Sequence, residues 1–267
     1  MTSTRLPYDA YLAHLRRDSA RFREVLTDVD PAARVPACPD WDAADLLWHL
    51  AEVQWFWART VRLRPAPPED DLEGPERPAD HAGLLAAFDE FSAQLVAELE
   101  GADPADEAWH WAPERTVGTS HRRQAHEALV HRLDAEQTAG AVTPFEPALA
   151  ADGVAEALEV MYGGAPPAWA EFTPVDGVLR LDLTDTGHTF RVAAGVLTGA
   201  DPGSGKAVDG PHLVLLDPGT RPAATLAGTA ADVDTWLWKR GDDARLVRDG
   251  DPAVHAAFAA AVSPPLT

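Results

Sequence analysis

Apolar residues recur every three or four positions through the first 140 residues and alternate every second position after about residue 178, so the chain changes architecture along its length. Tyr8, Leu12, Leu15, Phe22, Val25 and Leu26 predict a helix over residues 8–28, ended before Pro31 and Pro36. Asp42 is a good N-cap, and Leu46, Leu47, Leu50, Val53 and Trp57 carry a second helix to about Val61. Residues 64–78 are rich in proline and acid and lack periodicity, which predicts an exposed crossover loop. A third helix follows over residues 80–100 on Leu84, Leu85, Phe88, Phe91, Leu95 and Leu99. After an irregular stretch holding Trp109, His110 and Trp111, a fourth helix begins near Thr119. Helices of this length with one long connection describe a four-helix bundle, a scaffold that places metal ligands on its inward faces.

Residues 140–176 form a Pro/Ala-rich transition with one helix across residues 154–161. Residues 178–184 and 189–193 then read as neighbouring strands around the turn Asp185-Thr-Gly-His188, with further strands at 212–216 and 223–227. Thr229 or Asp232 caps a helix through Trp236 and Trp238, and residues 252–262 form a last one. The expected organisation is a helical bundle over residues 1–140 and a small α+β domain over residues 141–267.

The chemistry sits in the bundle. His49 falls inside the apolar stripe of the second helix and therefore points inward. Glu127 and His131 are four residues apart, offset by roughly 40° on the same helix face. Imidazole and carboxylate are ordinary ligands of zinc and its divalent neighbours, and three protein ligands leave a position open for water or a thiol. The acidic-x-x-x-His spacing is cheap by itself, because Asp45/His49, Asp106/His110 and Asp251/His255 share it.

Composition sets limits on partners. The formal charge of -21 opposes phosphate backbones and anionic lipid, whose binding needs clustered Lys and Arg, so neither nucleic acid nor a membrane is an expected partner. No apolar run approaches the roughly 20 residues that span a bilayer. The N-terminus lacks an apolar signal core and a single cysteine cannot form an internal disulfide, which together fit a reducing cytoplasm.

Three blocks carry a family likeness: Val35-Pro-Ala-Cys38-Pro-Asp-Trp41-Asp-Ala-Ala-Asp45-Leu-Leu-Trp-His49-Leu50, the segment from Glu127 through His131, Arg132 and Asp134 to Glu136, and the segment from Leu226 through Asp232, Trp236, Arg240 and Asp243. Together they resemble the mycothiol-dependent maleylpyruvate isomerase family, over nearly the whole chain. The resemblance implies a DinB-like four-helix bundle binding a divalent metal, usually zinc, through His49, Glu127 and His131, followed by a C-terminal domain similar to sterol carrier proteins. It also implies mycothiol as thiol cosubstrate and a small-molecule substrate, with the chain a monomer or weak homodimer. The activity implied is cis-trans isomerisation of the maleylpyruvate type, or thiol S-transfer. A bound cation lowers the pKa of a thiol in the open position and supplies thiolate, the reactive nucleophile.

Arg240 and Asp134 are the expected catalytic residues. By resemblance Arg240 binds an anionic substrate through its guanidinium fork, while the alternative is an Arg at a helix C-terminus stopped by Gly241. Asp134 lies one turn beyond the ligands, where carboxylates orient ligands or contact substrate. Cys38, in the turn before the second helix, is not an expected nucleophile. His121 and His126 read as surface or capping residues, Arg132 as a solvated helix residue, and Trp109 to Trp111 as either a pocket roof or a packed loop. Asp201 to Lys206 resembles a phosphate loop only superficially, since Ala200 and Ala207 occupy positions that motif needs as Gly and Ser/Thr. Two rival readings are a metal-dependent hydrolase with Asp45 or Asp134 as general base, and a non-enzymatic binder of an apolar ligand.

Overall fold

The structure, a computed structural model, describes residues 3–68, 73–264 and 266. It divides into two compact units, Leu6–Pro144, and Met1–Arg5 with Phe145–Thr267.

In the first unit, α1 (Tyr8–Asp28) leads to a two-stranded ribbon of β1 (Arg34–Val35) and β2 (Cys38–Asp42), then α2 (Ala43–Arg62), α3 (His81–Gly101) and α4 (Val117–Ala139). Asp42 caps α2 in a reciprocal box: its carboxylate accepts from Asp45 N at 2.9 Å, and the Asp45 carboxylate accepts from Asp42 N at 3.2 Å. Thr116, rather than Thr119, caps α4, and Gly140 ends it with φ 72°, a left-handed turn that glycine adopts without steric cost.

Cross-helix contacts fix the helix directions. α1 and α4 run parallel, since Tyr8 lies beside His121, Asp18 beside Arg132 and Arg21 beside Glu136. α1 and α3 run antiparallel, through Leu26 with His81, Arg23 with Asp89 and Arg16 with Glu100. α2 opposes α4, because His49 meets Glu127 while Arg64, just past the α2 C-terminus, pairs with Asp106 ahead of α4. Arg62 with Glu98 and Asp45 with Arg77 make α2 and α3 parallel, so the chain between them must return along the bundle. That return is the expected crossover, of which residues 69–72 lie outside the described residues. Two apolar clusters fill the bundle, one around Phe22, Leu46, Leu47, Leu50 and Phe88, the other around Leu15, Trp57, Leu95 and Leu99.

The second unit has α5 (Pro147–Glu156), continued by a π-helical turn (Ala157–Met161), then β3 (Ala170–Pro174), β4 (Leu179–Leu183), β5 (Thr189–Ala200), β6 (Ala207–Leu215), β7 (Ala224–Gly228), α6 (Ala230–Leu237), β8 (Val247–Gly250) and α7 (Pro252–Ala261). The long β5 pairs with β6 on one side, and with β4 and then β3 on the other. β4 and β7 are parallel, while the remaining pairings of this mixed sheet are antiparallel. Leu179, Leu181, Leu183, Val192 and Leu226 pack with Val154, Leu158, Val233 and Phe258 in one core.

Several boundaries differ from the periodicity. α5 starts well before residue 154, because Pro147 occupies its first turn, where a missing N–H costs nothing. β6 begins at Ala207 and runs through Pro211, which an edge strand tolerates. β3 and β8 escape the sequence pattern because they are short and carry little apolar alternation, and β8 is exposed at every residue. The alternation does find the β4–β5 hairpin, and the fold class is α followed by α+β as expected. Among the described residues no helix is long and apolar enough to cross a membrane.

The Asp42→Ala variant should lose about 1 kcal/mol of bundle stability by removing the α2 cap. A lower urea midpoint with unchanged slope is the expected readout, and an unchanged midpoint would show that the box contributes nothing.

Candidate metal centre

Three donors from two helices converge. The capped α2 presents His49 about two turns into the helix, and the His49 ring packs against Trp41 of β2, with ring centroids 4.7 Å apart. From α4, Glu127 Oε1 lies 3.1 Å from His131 Nε2 and 3.7 Å from His49 Nε2. The three ligating atoms all lie within 4.8 Å of one another. Ligands of a tetrahedral zinc at about 2.0–2.1 Å from the ion sit roughly 3.4 Å apart, so small side-chain adjustments suffice to close the set around one cation. His131 is buried, whereas the His49 side chain is 32% exposed, which leaves the group approachable from the α2 side.

Two further side chains lock these donors. His131 Nδ1 donates to the Asp134 carboxylate at 2.9 Å, which turns Nε2 toward Glu127. Arg123 Nη2 donates to Glu127 Oε2 at 2.6 Å, so the two oxygens of this carboxylate face different partners. Arg123, Glu127, His131 and Asp134 all project from one side of α4, at spacings of three and four residues.

The electrostatics follow from this chain of charges. Burial alone would lower the His131 pKa, yet its hydrogen bonds to Asp134 and Glu127, and their charges, raise it to about 9. Burial likewise works against ionised Glu127, but the Arg123 charge, the hydrogen bond with His131 and the nearby His49 ring hold its carboxyl well below the usual range. Without a cation His131 is therefore an imidazolium bridging two carboxylates, and its Nε2 proton occupies the direction that a metal would take.

Asp134 touches His131 directly, as a second carboxylate behind a metal-ligand candidate. Arg240 belongs to the C-terminal unit. Its backbone N–H donates to Thr235 O at 2.8 Å and its Nη1 to Trp238 O at 2.8 Å, so it does sit at the end of α6. The left-handed residue of that terminus is Lys239 at φ 62°, not Gly241, which corrects the expected stop.

Other expectations are revised. His121, His126 and Arg132 are buried rather than solvated or capping: His121 Nδ1 contacts Val117 O at 3.1 Å, His126 lies edge-on to Tyr11, and Arg132 reaches Asp18 at 3.3 Å. The physical reason is that α4 is buried around nearly its whole circumference from Val117 to Glu136, so it has no solvated face. Trp109 and His110 pack on Phe56 and Trp57 of α2, while Trp111 is exposed, in keeping with a packed loop. Cys38 lies in β2 opposite Val35. Asp45 serves the α2 cap and takes a hydrogen bond from Arg77 at 2.8 Å, the chief cause of its lowered pKa. Asp251 caps α7, Asp106 pairs with Arg64, and Asp201 closes the β5–β6 turn onto Gly203 and Ser204, so these acids have local structural partners. Sequence reasoning missed Arg123 and Trp41 as neighbours of the ligand set. The four-residue step from Arg123 to Glu127 was the available signal for the first.

Residues 12–136 match the family model of the mycothiol maleylpyruvate isomerase N-terminal domain. Among solved structures, a mutant of the mycothiol-dependent maleylpyruvate isomerase aligns with TM-score 0.62 and 15% identity, covering 94% of this chain and 97% of that one. Another structure of the mycothiol-dependent maleylpyruvate isomerase aligns with TM-score 0.59 and 14% identity over the same shares. At such identities the likeness establishes the fold. No curated protein matches the chain in sequence.

Two measurements probe the centre. His49→Ala and His131→Ala should each lose bound metal while keeping the helical circular dichroism of the parent, and full metal retention by both would dismiss the ligand set. Because the His131 pKa is raised to about 9, a cation must displace one proton at neutral pH. Zinc affinity, read by chelator competition, should then rise about tenfold per pH unit toward pH 9 and level off above it. An affinity flat across that range would remove His131 from the coordination shell.

Proposed function

From the match of residues 12–136 to the mycothiol maleylpyruvate isomerase N-terminal domain model, we propose that this chain is a metal-dependent enzyme that uses a low-molecular-weight thiol, mycothiol, to isomerise a small cis-unsaturated acid of the maleylpyruvate type. The observation that carries the reading is the convergence of His49, Glu127 and His131 within 4.8 Å. These residues would hold a divalent cation, with zinc the choice that best suits two imidazoles and one carboxylate. When bound, that ion would lower the pKa of a thiol and orient it.

The chain's own residues then have defined tasks. Asp134 keeps the His131 Nδ1 proton and so presents Nε2 as a donor atom. Trp41 packs against the ring of His49. The reaction itself needs no nucleophile from the protein. Thiolate sulfur forms a bond to one alkene carbon as the π electron pair moves onto the conjugated carbonyl oxygen. Rotation follows about the resulting single bond, and the pair returns to expel the thiolate and leave the trans alkene. Arg240 is proposed, on the resemblance and its guanidinium chemistry, as the partner of a substrate carboxylate.

The hydrolase reading needs a general base near the ion, and both of its candidates are engaged elsewhere: Asp45 in the α2 cap and with Arg77, Asp134 with His131. The non-enzymatic reading has no use for the three convergent donors. Metal-loaded protein should gain thermal stability from mycothiol and convert maleylpyruvate to its trans isomer only when the thiol is present. Turnover without thiol, or no stabilisation by it, would reject the proposal. Arg240→Ala should raise KM for the anionic substrate about tenfold or more while thiol affinity stays level, and equal effects on both would remove Arg240 from substrate binding.

A further inference from the structure

We propose that Arg123 is the positioning residue of this centre: it restricts Glu127 to one ligating oxygen and offsets that carboxylate's charge, so that a bound divalent cation keeps an open position and more of its own positive charge. The inference rests on the metal and thiol reading above and assigns a task that neither His49 nor His131 can perform.

The geometry separates the two carboxylate oxygens. Oε1 faces both imidazoles, at 3.1 Å from His131 Nε2 and 3.7 Å from His49 Nε2. Oε2 is held by Arg123 Nη2 at 2.6 Å, a short charge-assisted bond. A carboxylate with both oxygens at liberty can chelate a cation, and the second oxygen would then consume a coordination position that a thiol needs. The Arg123 side chain is only 5% exposed, so its charge is weakly screened and acts strongly on what Glu127 holds. With two neutral imidazoles, the guanidinium cancels the single negative charge of the ligand set. Ligand sets of low net negative charge leave zinc a stronger Lewis acid, as neutral ligands do where bound water becomes acidic near neutral pH. The placement is written into α4 itself, since Arg123 stands one turn before Glu127 on the face shared with His131.

The test uses the full chain loaded with Co2+, because four-coordinate Co2+ absorbs visible light more strongly than five- or six-coordinate Co2+, and 2-mercaptoethanol serves as the thiol probe. Arg123→Met is expected to bind the ion yet lose about half or more of the visible absorption as Glu127 becomes bidentate. Its sulfur-to-cobalt band should appear with a midpoint about one pH unit higher than in the parent, roughly tenfold less thiolate at a given pH. Arg123→Gln keeps an N–H donor without the charge, so it should retain the visible spectrum and still show the higher midpoint. Where Arg123→Met fails to fold, Arg123→Gln decides alone by its midpoint. Parent-like spectra and midpoints in the variants would overturn the proposal. So would loss of Co2+ from Arg123→Gln as complete as that from His49→Ala, which would make Arg123 a part of the framework only. Absence of any sulfur band in the parent protein would instead defeat the thiol reading, while the visible spectra would still decide whether Arg123 sets the coordination number.

Discussion

A run of alternating charge along one side of α4, from Arg123 through Glu127 and His131 to Asp134, is the interaction on which the centre depends. Each member satisfies the next, so a carboxylate and an imidazolium coexist where burial alone would neutralise both. Remove any one and its neighbours lose a buried charge partner, which costs more than the intact pair contributes. The same arrangement aims two donor atoms, Glu127 Oε1 and His131 Nε2, away from α4 toward His49.

The bundle is arranged to bring His49 to that point. Parallel α2 and α3, with the chain returning between them, leave α2 antiparallel to α4, so the capped start of α2 lies beside the second half of α4. Below the centre, α1 and α4 are joined by a second set of buried charges. Asp18 takes Arg17 and Arg132, while Glu136 takes Arg21 and the backbone and hydroxyl of Thr143. Buried ion pairs of this kind contribute little net stability but tolerate few alternative registers, and register is what a ligand set split between helices requires. Gln54 of α2 donates to Ser19 of α1 at 2.9 Å, a third polar tie across the helices.

The C-terminal unit builds its core differently, from alternating strand residues closed by helices. Arg240 sits beyond α6 near Tyr162, whose hydroxyl donates to Leu237 O at 2.6 Å and whose pKa burial pushes up against the opposing Arg240 charge. That unit holds Arg240 at a helix end in a left-handed turn through Lys239, a conformation that an ordinary side chain adopts only under surrounding constraint.

The limits of the bundle helices and of α7 to within about two residues, the crossover, the β4–β5 hairpin and the inward side of His49 were legible in the sequence, because periodicity and capping are local and each residue reports its own environment. Short edge strands such as β8 and the proline-started α5 were not, since pairing and N-terminal proline tolerance leave little apolar pattern. The sequence also pointed to Glu127 and His131 as one face, because helix geometry alone fixes their offset. Only tertiary structure decided which acids were spent elsewhere. Asp45 and Asp134 share the same residue type, yet one caps α2 and the other holds His131. Only tertiary structure, too, turned the polar circumference of α4 inward, because whether Arg123, His126 or Arg132 meets water or a buried partner depends on helices distant in sequence, and no local pattern encodes the partner.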